Sequence, residues 1–195
     1  ILSGLVGSEM CIRDRVVVLY GLGDGTFTTG AILDTPGFPS AVAVADTDGD
    51  RRPELFVACT TADVVRSFVR DNEGNFLPAD PIAATGSPAA LAVGDMTGDG
   101  IDDLVIGNAQ PFSVSIASRS ANRPLAVTQT VELALRPRNV VVTDLDGDGR
   151  RDIVISQYGK AEGLVSVVFR EPDGTLSPPS TLDRLQSPHG LSCAD

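Results

Sequence analysis

The chain has 195 residues, of which 42% are hydrophobic and only 5% aromatic, and its formal net charge is −11. Such an acidic chain, with few rings for stacking, is a poor platform for nucleic acid. Four basic residues that cluster locally do not change this expectation: Arg136, Arg138, Arg150 and Arg151. No apolar stretch predicts a membrane-spanning helix, so we expect neither a nucleic-acid partner nor a membrane span in this chain.

The first fifteen residues differ in pattern from the rest of the chain. The segment LVGSEMCIRDR (5–15) resembles the conceptual translation of a transposase adapter used to prepare DNA sequencing libraries. An ordinary polar N-terminal extension is the alternative. We interpret residues 1–15 as non-native and expect Met10, Cys11 and Arg13 to have no biological role.

Residues 16–34 read as two strands joined by the glycine-rich segment GLGDGTF (21–27). A dinucleotide-binding loop would need a helix after its glycines, and this segment continues into strand-like residues instead. We therefore predict a hairpin turn, with Phe27 packing against its neighbours.

Residues 40–84 read as four short strands, at 40–46, 54–59, 63–69 and 76–84. The first two are nearly continuous apolar runs, which is typical of strands covered on both faces. The third alternates more, which predicts a place nearer the outside. The same order recurs twice further along, and residues 16–195 have no sustained helical period. The sequence therefore predicts an all-β fold.

A short acidic loop separates the first two strands of each repeat. The loops begin at Asp46, Asp95 and Asp144 and place acidic side chains at positions one, five and nine, with an aspartate or a threonine at position three. These side chains and the carbonyl of position seven can surround one hard cation. The loops predict Ca2+ sites with the ligands Asp46, Asp48, Asp50, Arg52 and Glu54; Asp95, Thr97, Asp99, Ile101 and Asp103; and Asp144, Asp146, Asp148, Arg150 and Asp152.

The three loops are not equivalent. The Asp144 loop has every expected carboxylate and Gly149 at position six, where a left-handed backbone is commonly required. The Asp46 loop has Arg51 there, so we rank it the weakest or most distorted site, and a solvated acidic turn stays open as its alternative. An EF-hand does not fit, because strands flank these loops and the closing acid stands at position nine instead of twelve.

The loops recur at a fixed interval. Asp46, Asp95 and Asp144 are 49 residues apart, and Asp195 follows 51 residues later as the first residue of a further loop. A second landmark keeps the same intervals: Phe27, Phe76, Leu125 and Leu176. A repeat of this length with four strands is typical of a β-propeller blade. We predict an incomplete β-propeller with about three whole blades and a partial blade at each end.

The phrases GLGDGTF, FPSAVAVADTDGD and PELFVA resemble the FG-GAP/VCBS repeat of integrin-like β-propellers, and the resemblance covers residues 16–195. It implies calcium loops between the first two strands of each blade, a usual total of seven blades, and partner binding on the opposite face. It also implies whole blades at 39–84, 89–133 and 139–182, with parts of blades at 16–34 and 188–195. We therefore expect the chain to be a fragment.

Candidate catalytic residues are sparse. The single histidine, His189, has no nearby partner in the sequence, and no hydrolase or nucleotide-binding motif is present. Cys59 and Cys193 fall in repeats that should lie far apart around the ring, so we expect small buried apolar residues and no disulfide between them.

These observations favour a non-catalytic, calcium-binding propeller segment of a larger secreted or cell-surface protein. Its role would be adhesion or recognition of a protein or glycan ligand. Two alternatives stay open. The segment could belong to a hydrolase or lyase acting on polysaccharide, with its catalytic residues elsewhere, or it could be a structural spacer.

Overall fold

The computed structural model describes residues 2–3, 14–120, 123–159, 163–185 and 191–192. Across these residues the chain is all-β, with four antiparallel sheets and no helix. Within each sheet, strands that follow one another in the chain are neighbours, except for the last strand of the five-stranded sheet, so each sheet is in essence an up-and-down meander. His189, Cys193 and Asp195 lie outside the described residues, as do Met10, Cys11 and Arg13.

Each sheet corresponds to one predicted blade, and the four together form a partial β-propeller. The partial blade consists of β1 (Leu2–Ser3), β2 (Arg15–Gly21) and β3 (Phe27–Asp34). Blade one consists of β4 (Pro39–Ala45), β5 (Glu54–Cys59), β6 (Val64–Arg70), β7 (Phe76–Pro78) and β8 (Ile82–Ala83). Blade two consists of β9 (Pro88–Gly94), β10 (Asp103–Ala109), β11 (Phe112–Ser120) and β12 (Arg123–Glu132). Blade three consists of β13 (Arg136–Thr143), β14 (Asp152–Tyr158), β15 (Gly163–Val168) and β16 (Ser180–Leu185).

The core lies between blades, as the apolar runs of the second strands predicted. Successive side chains of a strand point to opposite faces, so a strand between two neighbours needs apolar residues at every position. On β5, Leu55 and Val57 pack against the partial blade, whereas Phe56 packs toward blade two. On β10, Leu104 packs toward blade one and Val105 toward blade three. Blades one and two are thus each stabilised by both of their neighbours.

The first strands of neighbouring blades lie side by side at the inner edge of the fold, where β4 is next to β9 and β9 is next to β13. A side chain on Gly94 would place its Cβ 2.6 Å from Val142 Cγ1. Such an approach is well below a normal carbon–carbon contact, so the glycine allows β9 and β13 to approach each other. The small residues predicted for these inner strands therefore have a packing role.

The third and fourth strands depart from the sequence prediction. Alternating polar residues on β11 are buried instead of exposed, because they hydrogen-bond within the sheet: Ser115 Oγ lies 2.9 Å from Thr130 Oγ1 and 3.0 Å from Asn108 Nδ2. The predicted fourth strand at 76–84 is broken into β7 and β8. Pro81, which has no backbone N–H, lies in this break.

The glycine-rich segment at 21–27 is the predicted hairpin turn. Leu22 N–H donates to the carbonyl of Thr26 at 3.0 Å, and Gly23 and Gly25 have φ angles of 87° and 89°. Phe27 is half exposed, at 49% of its surface, so it packs less closely than predicted. Within the described residues, no helix is long and apolar enough to span a membrane.

Candidate metal centres

All three acidic loops connect the first and second strands of a blade, as predicted. Position one directly follows β4, β9 or β13, and position nine is the first residue of β5, β10 or β14. The strands therefore fix both ends of each loop. The side chains at positions one and nine start from rigid backbone, whereas positions three and five lie in the exposed part of the connection.

The carboxylate at position one organises the backbone of its loop. In the first loop Asp46 Oδ1 accepts a hydrogen bond from Gly49 N–H at 2.8 Å, and Oδ2 accepts one from Arg51 N–H at 2.7 Å. The same two bonds form from positions four and six to Asp95 and to Asp144, at 2.6 to 2.9 Å. Carboxylate oxygens have further lone pairs, so each can still bind a cation.

Position six has the left-handed backbone that the sequence analysis expected. The φ angles are 82° at Gly100, 85° at Gly149 and 65° at Arg51. Arg51 therefore adopts the conformation that glycine adopts in the other two loops. The backbone distortion expected of the Asp46 loop is absent, and its rank in affinity stays a prediction.

The carboxylates at position nine are buried and accept hydrogen bonds from the start of their loops. Glu54, Asp103 and Asp152 expose 4%, 2% and 1% of their surfaces. Their acceptor oxygens lie 2.8 to 3.0 Å from the N–H groups of position two. Burial raises the pKa of Glu54, and it raises the pKa of Asp103 to about 6. A buried carboxylate with a raised pKa gains from a cation that compensates its lost hydration.

Four carboxylates converge in the Asp46 loop. One oxygen from each lies within 4.8 Å of the others, and the four residues are Asp46, Asp48, Asp50 and Glu54. Calcium binds oxygens at about 2.3–2.6 Å, so two ligands on opposite sides of one ion are about 4.8 Å apart. The spacing and the all-oxygen donor set fit one calcium ion.

The Asp144 loop brings three of its four carboxylates together within the same distance: Asp144, Asp146 and Asp152. The fourth, Asp148, forms an ion pair with the guanidinium of Arg150. Convergence is therefore greater in the Asp46 loop, which was ranked weakest or most distorted from the sequence, than in the Asp144 loop. The structure identifies Arg150 as a competitor for one predicted ligand.

The Asp95 loop has the same backbone but not the same convergence. No group of three acidic side chains within 4.8 Å forms at Asp95, Asp99 and Asp103 among the described residues. Thr97 stands where the other loops have a carboxylate, and its N–H donates to Asp103 at 2.8 Å. Of the three acidic loops, this one brings the fewest carboxylates close together.

Position seven was predicted to supply a carbonyl ligand in each loop. The structure places its N–H against the carboxylate of position five, at 2.7 Å for Arg52, 2.9 Å for Ile101 and 2.8 Å for Arg150. These bonds hold position seven beside the cluster. Ligation by the three carbonyls stays a prediction.

Contacts between neighbouring blades at the loops were missed by the sequence analysis. Arg119 on β11 donates to the carbonyl of Thr47, and Arg170 beyond β15 donates to the carbonyl of Thr97. The sequence did contain a signal for these contacts. Arg70, Arg119 and Arg170 are separated by 49 and 51 residues, the same intervals that separate Phe76, Leu125 and Leu176. The loops also touch directly, since Asp102 N–H donates to the carbonyl of Asp46 at 3.3 Å.

The sequence matches one described protein family. The FG-GAP-like repeat matches residues 5–57 and 48–106, which together span more than half of the chain. The first match overlaps the segment interpreted as an adapter, and that interpretation stays a prediction. A comparison with curated proteins gave no match.

Several solved structures share the fold. A functionally unknown protein from Desulfotomaculum acetoxidans is 17% identical with a TM-score of 0.57, and the alignment covers 86% of this chain and 52% of that one. A protein from Lactobacillus plantarum is 15% identical with a TM-score of 0.57, covering 94% of this chain and 56% of that one. BBS1N, crystallised in complex with ARL6DN and soaked with lead, is 14% identical with a TM-score of 0.55, covering 87% and 55%. The chain thus spans about half the length of these structures.

Proposed function

Because the chain belongs to the FG-GAP-like repeat family, we propose that it is a calcium-binding β-propeller segment that recognises a protein or glycan ligand. The segment is non-catalytic in this proposal and is part of a larger secreted or cell-surface protein. Calcium holds the acidic loops in shape, and the blades present the recognition surface.

The observation that carries the calcium part is the convergence of four carboxylates within 4.8 Å in the Asp46 loop. Like charges at this distance repel each other, so a loop without a cation is electrostatically unfavourable. One divalent ion replaces this repulsion with attraction. Binding then stabilises the folded form by about 2.7 kcal/mol when free calcium is 100 times the dissociation constant.

An extracellular location is supported by the class of site. Calcium modules of extracellular proteins typically have dissociation constants of about 0.1–1 mM, which suits exposed loops with few rigid ligands. Asp48 and Asp50 are exposed, and their contacts are local: each accepts a hydrogen bond from a backbone N–H two residues further on, and Asp50 also forms an ion pair with Arg52 at 3.8 Å. Such a site would be occupied outside cells and largely empty at cytosolic calcium concentrations.

Calorimetric titration of the whole chain with CaCl2 tests the proposal. We expect saturable binding and a rise in Tm, with at least about tenfold weaker binding at the affected loop in Asp48→Ala or Asp146→Ala. Asp173→Ala is the matched control, because Asp173 is an exposed aspartate in a hairpin turn outside the three loops. Absence of binding heat and of any Tm shift would contradict the calcium proposal. Unchanged binding in both loop variants would contradict the ligand assignment.

A further inference from the structure

Two arginines and a tyrosine meet at one end of blade three. The Cζ atoms of Arg136 and Arg138 lie 5.6 and 5.4 Å from the centre of the Tyr158 ring. Arg136 opens β13 and is paired with Tyr158 at the end of β14. We call these three residues the arginine–tyrosine cluster. Because both guanidinium groups lie near one ring, cation–π attraction limits their freedom before any ligand arrives.

The cluster lies at the end of the blade away from the acidic loops. The Asp144 loop joins the end of β13 to the start of β14, whereas the cluster joins the start of β13 to the end of β14. Six strand steps of about 3.3 Å along β14 separate the two ends, a distance of about 20 Å. Arg150 and Arg151, which are close to the cluster in sequence, belong to the opposite end. The local run of basic residues is therefore two separate features.

The positive charge of the cluster is not neutralised by the described part of the chain. Its ion pairs join other residues, and none within 4.0 Å includes Arg136 or Arg138. Arg138 is exposed, and Arg136 and Tyr158 are half-buried. In a chain with a net charge of −11, two arginines that have no acidic partner among the described residues are available for an external anion.

The repeat itself shows that the blade fold does not require these residues. The positions equivalent to Arg136, Arg138 and Tyr158 are occupied by Phe38, Ser40 and Thr60 in blade one and by Ser87, Ala89 and Ala109 in blade two. In blade one the small polar residues bond to the next blade, since Ser40 Oγ and Thr60 Oγ1 donate to the carbonyl of Pro88. Blade three has three large side chains at these positions instead.

Blade two also has an exposed aromatic side chain at this end. Phe112, which opens β11 at the same end, exposes 39% of its surface. Arginine, tyrosine and phenylalanine are the residues enriched at the centres of protein–protein interfaces, and arginine and tyrosine are frequent hot spots. This combination favours a protein partner over a glycan.

We propose that this end of blades two and three is a docking surface for a protein that presents carboxylates beside apolar side chains. The guanidinium groups of Arg136 and Arg138 bind the carboxylates, for which their planar donors are well matched. The ring of Tyr158 positions both arginines. The proposal rests on the recognition part of the proposed function and is independent of calcium binding.

The test measures binding of labelled peptides to the whole chain by fluorescence anisotropy. The probe is a peptide with aspartate or glutamate alternating with phenylalanine, and its control is the same peptide with amides in place of carboxylates. We expect binding of the acidic peptide alone, weakened about tenfold or more by Arg136→Gln or Arg138→Gln. Arg123→Gln should leave it unchanged, because Arg123 is an exposed arginine at the opposite end, where β12 begins.

Tyr158→Phe and Tyr158→Thr separate the ring from the hydroxyl. Phenylalanine keeps the ring and should retain peptide binding, whereas threonine, the residue found at the equivalent position of blade one, should weaken it. The Tm of each variant should match that of the unaltered chain. Loss of peptide binding at an unchanged Tm therefore supports the inference, whereas loss of binding only in variants whose Tm also falls would overturn it.

Four further results would overturn the inference. They are no binding of the acidic peptide, equal binding of the amide peptide, equal weakening by Arg123→Gln, and tighter arginine-dependent binding of a heparin oligosaccharide. Sedimentation of the chain provides a fifth. Self-association that Arg136→Gln and Arg138→Gln abolish would identify a second copy of this chain as the occupant.

Discussion

The Nε–H of Arg119 in blade two donates a hydrogen bond to the backbone carbonyl of Thr47, 3.0 Å away in the acidic loop of blade one. The next blade repeats the arrangement, with Arg170 Nη2 2.5 Å from the carbonyl of Thr97. The side chain of each arginine extends from the outer part of its own blade to the acidic loop of the preceding blade. Blades therefore contact each other through the loops as well as through the apolar core.

We expect Arg119→Met to destabilise the calcium-free protein by about 1.5–3 kcal/mol, the typical contribution of a hydrogen bond from a charged donor. When no metal is present, the Arg119 guanidinium also offsets the repulsion among the four carboxylates of the Asp46 loop. Its loss should therefore destabilise the calcium-free protein further. Urea unfolding in the presence of a chelator measures the change in the free energy of unfolding. Hydrogen exchange then measures the protection of the backbone amides on β5 and β11.

Arg70→Met is the matched control for this link. Arg70 stands at the same position of blade one, but its guanidinium lies over the ring of Phe76 at 4.8 Å. Among the described residues no acidic loop accepts a hydrogen bond from Arg70. Arg70 is half-buried, so its replacement should cost only the cation–π contribution, about 1 kcal/mol. Equal losses for Arg70→Met and Arg119→Met would contradict the role of the link.

The sequence predicted the second strands best. The predicted strand at 54–59 coincides with β5, because a strand between two packed neighbours needs an apolar residue at nearly every position and leaves a distinct pattern. The fourth strand was harder to predict. Ala79 and Ser67 hydrogen-bond across the break that contains Pro81, and this pairing depends on the neighbouring strand instead of the local sequence.

The candidate metal centres were predictable in outline but not in detail. The spacing of the acidic side chains placed the loops between the correct strands. It could not show that Arg150 pairs with Asp148, because that pair depends on the orientation of two side chains. Nor could it show that Arg51 adopts a left-handed backbone, since the flanking strands impose that conformation against the residue's own preference.

Arg51→Gly should strengthen calcium binding at the Asp46 loop. The change removes a cation close to the carboxylate cluster and relieves a left-handed conformation that costs a non-glycine residue about 1–2 kcal/mol. The N–H of residue 51, which donates to Asp46, is retained. We expect affinity to rise by about threefold or more, given the Coulomb energy of a unit charge several ångströms from the ion. Calcium titration of the variant and of the unaltered chain, at low and at high ionic strength, measures this gain in affinity.

Arg151→Gly controls for charge alone. Arg151 stands at position eight of the Asp144 loop and does not have a left-handed backbone. Salt should reduce the gain from Arg151→Gly almost completely, since that gain is purely electrostatic. Part of the gain from Arg51→Gly should survive in high salt. Identical salt dependence of the two variants would show that backbone conformation contributes nothing.

The raised pKa of Asp103 predicts opposite pH effects with and without calcium. In the calcium-free protein, burial lifts this pKa to about 6, whereas an unfolded chain has an aspartate pKa of about 3.9. The folded state therefore binds the proton more tightly. Its contribution to stability is fully present below about pH 4 and is lost as the pH rises through 6.

Calcium needs the deprotonated carboxylate, so its affinity for the Asp95 loop should rise as the pH increases through 6. Binding at pH 6 should release a fraction of a proton, which calorimetry detects as a dependence of the binding heat on the ionisation enthalpy of the buffer. Asp103→Asn keeps a hydrogen-bond acceptor for the N–H groups of Met96 and Thr97 but cannot titrate. The variant should lose this loop's proton release. Unchanged release would assign the proton to another group.

Gly94→Ala should destabilise the junction of blades two and three by about 1–3 kcal/mol, the usual cost of overpacking. The new Cβ would lie 2.6 Å from Val142 Cγ1. The blade itself tolerates a side chain here, because Ala45 and Thr143 occupy the equivalent positions of blades one and three. The clash therefore comes from the neighbouring blade alone.

Val142→Ala in the same chain should recover most of that loss, because it removes the methyl groups that the new Cβ meets. The single change Val142→Ala leaves a gap beside β9 and should itself cost stability. A double-mutant cycle by urea unfolding should thus give a favourable interaction energy between alanine at 94 and alanine at 142. Additive losses would mean that β9 and β13 do not pack closely at this position, and the arrangement of inner strands around the axis would need revision.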